Sequence, residues 1–136
     1  FNISKFNSLF KVKNDDWGNP HALYNLQVPN EPFFTMNANV QYRINNLIQK
    51  KSVVNVYYNM GYVAPFKTIW FDSDWFTTPT QFTHDIGINY RVPKSNIVVS
   101  LDSKNIFNSE VYDNFGVQKP GRAFYVKLNY TINNFK

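Results

Sequence analysis

Side chains suited to chemistry are few and scattered in this 136-residue chain. Its two histidines, His21 and His84, each lack a second ligand at the helical or turn spacing from which a metal site is built. His84 falls on the apolar side of a strand end, a place that suits an interfacial ring. Asp72 and Asp74 in the segment FDSDW copy the first two ligands of a calcium loop, but the central Gly and distal Glu of such a loop are missing. A solvated loop accounts for them better. No Gly-rich phosphate cradle occurs, and no Ser, His and Asp are spaced as a nucleophilic triad. The chain has no Cys, which excludes disulfides, thiolate ligands and cysteine nucleophiles. These residues point to no enzyme, no metal and no cofactor.

The remaining reactive surface is aromatic and charged. Aromatic residues make up 18% of the chain (13 Phe, 9 Tyr, 3 Trp), with 20 Asn and only 5 Gly. This mixture favours strands and turns over helices. The net charge is +5, but the 14 Lys and Arg form no run that would track phosphates, so no nucleic-acid partner is expected. The segment 64–80 carries Phe66, Trp70, Phe71, Trp75 and Phe76, more aromatic surface than a passive connector needs. It either meets an apolar ligand or a partner lipoprotein, or packs on itself at the rim of the strands.

Strands must position these groups. Over 33–46 the residues Phe34, Met36, Ala38, Val40, Tyr42 and Ile44 alternate with Thr35, Asn37, Asn39, Gln41, Arg43 and Asn45. A period of two sustained this long predicts a strand. After the polar segment 49–52, Val54, Val56, Tyr58, Met60 and Tyr62 alternate with Asn55, Tyr57, Asn59 and Gly61, predicting a hairpin partner. A third strand is predicted over 82–92, with Phe82, Ile86, Ile88 and Tyr90 opposite Thr83, Asp85, Gly87, Asn89 and Arg91. A tight turn at 93–96 follows, because Pro93 presets its backbone and Asn96 tolerates the left-handed region. Further strands are predicted over 97–107 and 122–132, and an early one over 1–12. No helix is predicted.

The connections alternate long and short, as in an outer-membrane barrel with short periplasmic turns and long extracellular loops. On this expectation 64–80 and 108–121 lie outside the cell, and 49–52 and 93–96 face the periplasm. Phe34 and Tyr42, like Phe82 and Tyr90, are eight residues apart on one face, about 20 Å along a membrane normal at the usual strand tilt, near the spacing of two aromatic girdles. The opposite face carries Arg43, Asp85, Arg91, Asp102, Lys104 and Lys127, costly against lipid but natural in a wet lumen or paired across strands. Five or six strands are too few to close a membrane barrel, and open edges cannot face hydrocarbon. The chain, which begins at Phe1 inside an expected strand, is therefore expected to be part of something larger. The alternative is a small soluble β-barrel binding a lipid or other apolar ligand with the apolar face inward.

The last stretch, SLDSKNIFNSEVYDNFGVQKPGRAFYVKLNYTINNF, resembles the C-terminal end of TonB-dependent outer-membrane receptors over about a quarter of the chain. The matching residues are Asn105, Ile106, Phe107 and Asn108, then Tyr112, Asp113, Asn114, Phe115 and Gly116, then Gln118, Pro120, Gly121 and Arg122. The Asn- and Lys-rich character looks like receptors of Bacteroidetes-type bacteria. The resemblance implies a location in the bacterial outer membrane, in a barrel of 22 strands with an N-terminal plug, of which this chain holds the last five or six. It implies outer-membrane lipid, the rest of the barrel and plug, the barrel-assembly machinery and, indirectly, the TonB energy-coupling complex as partners. It further implies uptake of a scarce nutrient such as a ferric siderophore, haem or cobalamin. Trp70, Phe71, Trp75, Phe76, Tyr112 and Phe115 are then ligand-contact candidates on outer loops. Phe124, Val126, Leu128, Tyr130 and Ile132 form the outward face of the strand read by the assembly machinery. Such barrels usually end on an aromatic in that phase, whereas here Ile132 holds it and Phe135 lies out of phase after Asn133 and Asn134.

Overall fold

The computed structural model describes residues 1–71, 74–113 and 116–132. Six strands, β1 (Asn2–Lys5), β2 (Phe34–Asn45), β3 (Val53–Val63), β4 (Gln81–Arg91), β5 (Ile97–Lys104) and β6 (Ala123–Tyr130), form one open antiparallel sheet in the order β1-β2-β3-β4-β5-β6. The five alternating runs all become strands, because each offers one apolar and one polar face to a pleated neighbour. One three-residue 3-10 turn, Asp74–Phe76, is the only helical element among the described residues. None of the described helical structure is long and apolar enough to cross a membrane, which bears on helices only.

Three strands are at least three residues shorter than expected, β6 covering 123–130 rather than 122–132. β1 pairs only from Asn2↔Asn37 to Lys5↔Phe34; beyond it the chain makes isolated bridges, Leu9↔Gln27 and Asn14↔Pro20. Pro20, Pro29 and Pro32 lack the N–H donors that a longer ladder across 6–33 would need. β5 stops at Lys104 rather than Phe107 because Asn105 adopts a φ of 48° and turns the chain out of the sheet.

The connections alternate long, short, long, short, long. In the first short turn the Asn46 side-chain carbonyl accepts the Lys51 N–H at 2.7 Å, and the Asn46 N–H bonds Ser52 O at 2.8 Å. In the second, Lys94 rather than Asn96 takes the left-handed conformation (φ 57°). The Ser95 hydroxyl serves both ends of that turn, donating to Val92 O and accepting the Ile97 N–H.

The chain forms two compact units. The first comprises Phe1–Asn37, Gly61–Phe82 and Glu110–Pro120 and contains most of the long connections. In it Phe34, Tyr62 and Phe82, from three neighbouring strands, meet edge to face with centroids 5.7 and 6.1 Å apart, a favoured aromatic geometry. The second unit comprises Ala38–Met60, Thr83–Ser109 and Gly121–Lys136. Here β4 pairs β5 from Ile86↔Ser103 to Arg91↔Val98, and β5 pairs β6 from Ile97↔Tyr130 to Lys104↔Ala123.

Among the described residues only Val54 and Phe66 are buried large apolar side chains, 2% and 3% exposed. Val40, Tyr42, Ile86, Ile88, Leu101, Phe124, Val126, Leu128 and Tyr130, all on the apolar side, are exposed. The buried side chains of the second unit are mainly polar instead, with Ser52, His84, Ser100, Asp102 and Asn105 among them.

Candidate functional site

The segment 64–80 closes on itself at its base. The Thr78 N–H donates to Phe66 O (2.9 Å), the Phe66 N–H to Thr78 Oγ1 (3.1 Å), and the Thr68 N–H to Phe76 O (2.8 Å). Both Phe66 and Thr78 are buried, so self-packing accounts for the base of this loop. Its tip behaves differently. Trp75, on the 3-10 turn, is 93% exposed, and Phe71 and Phe76 are also exposed, stacked edge to face at 6.1 Å. Trp70 meets Phe10 edge to face at 5.5 Å.

Trp75, Phe76 and Tyr112 line one hollow of about 310 Å³ with Thr68, Thr78 and Gly116. The structure thus brings three of the six ligand-contact candidates together and leaves Trp70 and Phe71 outside the lining; Phe115 lies outside the described residues, as do Asp72 and Asn114. Tyr112 is positioned by its own N–H, which donates to the buried Gln81 side chain at 3.0 Å. Its hydroxyl donates to Glu110 Oε2 at 3.1 Å. That hydrogen bond, more than desolvation, holds the phenol above its ordinary pKa. Asp113 organises the adjoining turn, its Oδ1 accepting the Val117 N–H at 3.0 Å. Gln81 had no sequence signal, because a polar residue at a strand start is unremarkable until the bond it accepts is seen.

In the second unit the Asn-Ile-Phe-Asn segment meets Gly121 and Arg122. Asn105 is buried, and its side chain brackets Ser109, donating to Ser109 O at 2.7 Å and accepting the Ser109 N–H at 2.9 Å. Asn108 (φ 56°) accepts the Arg122 N–H on Oδ1 at 2.8 Å. A Cβ on Gly121 would fall on that same Oδ1, which is why glycine is required between the exposed Pro120 and Arg122. The Arg122 guanidinium lies 5.8 Å from the Phe124 ring and reaches Ile106 O at 3.5 Å. Phe107 is exposed and turns its ring to His84 at 4.8 Å, while His84 Nδ1 bonds the Tyr58 hydroxyl at 2.5 Å. These contacts give His84 an aromatic setting.

Four of the six charges on the polar face of this unit are paired across strands. Lys104 Nζ bonds Asp85 Oδ2 at 2.9 Å, and Lys127 Nζ bonds Asp102 Oδ2 at 2.8 Å. Asp102 is buried and also accepts the Tyr57 hydroxyl at 2.5 Å. Gly87 lets Tyr57 lie across the sheet, since a Cβ there would fall on the ring and on Asp102 Oδ1. Tyr57 and Gly87 were visible in sequence only as members of the polar phase; their partnership comes from three strands meeting.

Phe124, Val126, Leu128, Tyr130 and Ile132 are all exposed, Val126 by 77%; Phe135 lies outside the described residues, with Asn133, Asn134 and Lys136. Between β4 and β6, the apolar side forms a groove of about 500 Å³ lined by Val56, Ile86, Ile88, Leu101, Phe124 and Val126. Among the described residues no three His, Cys, Asp or Glu side chains gather where a metal ion could be held. No protein family, curated protein or solved structure matches the chain.

Proposed function

We propose that the chain is the C-terminal barrel segment of a TonB-dependent outer-membrane receptor that takes up a scarce nutrient such as a ferric siderophore, haem or cobalamin. The observation that carries this reading is the reversal of burial in the second unit, where apolar side chains are exposed and the buried ones are mainly polar. A water-soluble sheet would bury the apolar face, whereas a membrane strand turns it to lipid and keeps charges inside. The aromatic row Phe34, Tyr62 and Phe82 suits one interfacial girdle. The reading also draws on the resemblance, whose residues interlock locally: Asn108 with Gly121 and Arg122. A sheet whose edge strands β1 and β6 remain unpaired with one another favours it over a closed soluble barrel.

On this reading the outer loops, with the Trp75 and Tyr112 hollow among them, contact the nutrient. A plug elsewhere in the protein moves when the inner membrane supplies energy, and the strands of this chain supply wall. Cell fractionation and growth test it together. The full-length protein should be recovered with outer-membrane lipid, and its deletion should slow growth when the nutrient is supplied only as one of these complexes. Recovery in the soluble fraction would end this reading.

A further inference from the structure

The strands of the second unit place six charged side chains on the polar face: Arg43, Asp85, Arg91, Asp102, Lys104 and Lys127. Both carboxylates are taken by lysines. The side chains of Arg43 and Arg91 have no hydrogen bond or ion pair among the described residues. These two guanidinium groups line one hollow of about 560 Å³, together with Gln41, Val53 and Asn55. Arg43 and Gln41 come from β2, Arg91 from β4, and Val53 and Asn55 from β3 between them. Strands two places apart are separated by about 10 Å, and Arg43 and Arg91 reach the same hollow from the strands on either side of β3.

Two like charges sharing a hollow repel, and more so away from bulk water. A single anion between them reverses that cost. Guanidinium forks match the oxygen pairs of carboxylate and phosphate, and amide N–H groups complete such a shell. No carboxylate lines the hollow, so a cation meets two positive charges and no opposite one, and Val53 is its one apolar side chain. We propose that Arg43 and Arg91, assisted by Gln41 and Asn55, form an oxyanion site that takes a carboxylate or phosphate group. The site stands on the second unit alone and does not depend on the chain crossing a membrane.

The full-length protein, titrated with inorganic phosphate at constant ionic strength against chloride, tests this. Phosphate should bind, and Arg43→Gln and Arg91→Gln should each weaken binding about tenfold, the loss of a charge-assisted bond, while Lys50→Gln leaves it unchanged. If the oxyanion is instead a carboxylate of the protein's own polypeptide resting on this face, phosphate binds weakly. The R43Q/R91Q protein then melts below its parent at about 0.05 M salt, and the gap closes near 1 M, where screening is nearly complete. Where the double variant does not fold, R43K/R91K, which keeps charge but loses the fork, should weaken phosphate binding several-fold. The proposal is overturned if phosphate binding is unaffected by these substitutions. It is equally overturned if phosphate fails to bind while parent and double variant melt alike at both salt concentrations.

Discussion

Asn25, Asn30, Asn46, Asn105 and Asn108 are five of the seven described non-glycine residues with positive φ, which connects a composition of 20 Asn and 5 Gly to the backbone. Asparagine tolerates the left-handed region because its amide can bond the nearby main chain, as Asn46 and Asn105 do here. At Gly87 and Gly121 glycine is kept for close approach, whereas Gly18 and Gly116 themselves take positive φ. Gly121→Ala should cost about 1–3 kcal/mol by driving a methyl into the Asn108 amide. In an Asn108→Gly background the same change should cost much less, since glycine accepts the positive φ and removes the obstructing oxygen. A double-mutant cycle on urea midpoints measures this coupling; equal costs in both backgrounds would refute it. Gly87→Ala should cost a similar amount through Tyr57 and Asp102. Tyr57→Phe should cost only about 1 kcal/mol, because Lys127 still serves Asp102.

β6 is the clearest case of a strand whose apolar side chains have no cover among the described residues, with Phe124, Val126, Leu128 and Tyr130 all exposed. If this row faces lipid, as the proposed function requires, Val126→Arg or Leu128→Arg should destabilise the full-length protein by about 2–4 kcal/mol near the midplane. Unchanged insertion and folding of both variants would mean the facing is wrong. The loops carry a topology prediction of their own. A cysteine replacing exposed Val117 should react with an impermeant reagent on intact cells, and one replacing exposed Lys50 should not. Equal labelling would remove this orientation. In the first long connection, Asp15 accepts the Asn19 and Trp17 N–H groups at 2.8 and 2.9 Å. These bonds, the one from Asn19 foremost, hold its carboxyl below the usual value. A lowered folded pKa stabilises the turn above the unfolded value and loses that contribution as pH falls through the folded one. The order of this turn, reported by the fluorescence of Trp17, should persist at pH 5 and decline only below the ordinary aspartate range; Asp15→Asn should remove that acid transition.

The sheet ends in two unpaired edges, β1 and β6. In hydrocarbon each unpaired ladder group costs several kcal/mol, and in water such an edge invites pairing with another chain. Expressed alone in mild detergent, residues 1–136 should therefore associate or lose amide protection. A protected, cooperative 16.0 kDa monomer, seen by native mass and hydrogen exchange, would favour a self-contained sheet instead. A strand laid beside β6, from any source, would satisfy the row of ladder groups left open at that edge.

Strand existence, the split of each strand into an apolar and a polar face and the alternation of long and short connections were legible in the residues, because a period of two is a local property and each run carries it without help from its neighbours. The early strand was overestimated for the complementary reason: a ladder exists only where a partner of matching length lies alongside, and β2 offers β1 four residues. The turn at 93–96 likewise placed its strained residue at Lys94, where the serine hydroxyl and the strand register demanded it, not at the asparagine that propensity favours. The Tyr57, Gly87, Asp102 and Lys127 cluster and the hollow between Arg43 and Arg91 each draw on three or four strands. Which polar residues of one phase become partners depends on the register between strands, and register is decided by the pairing of whole strands, since a slip of one residue exchanges every face.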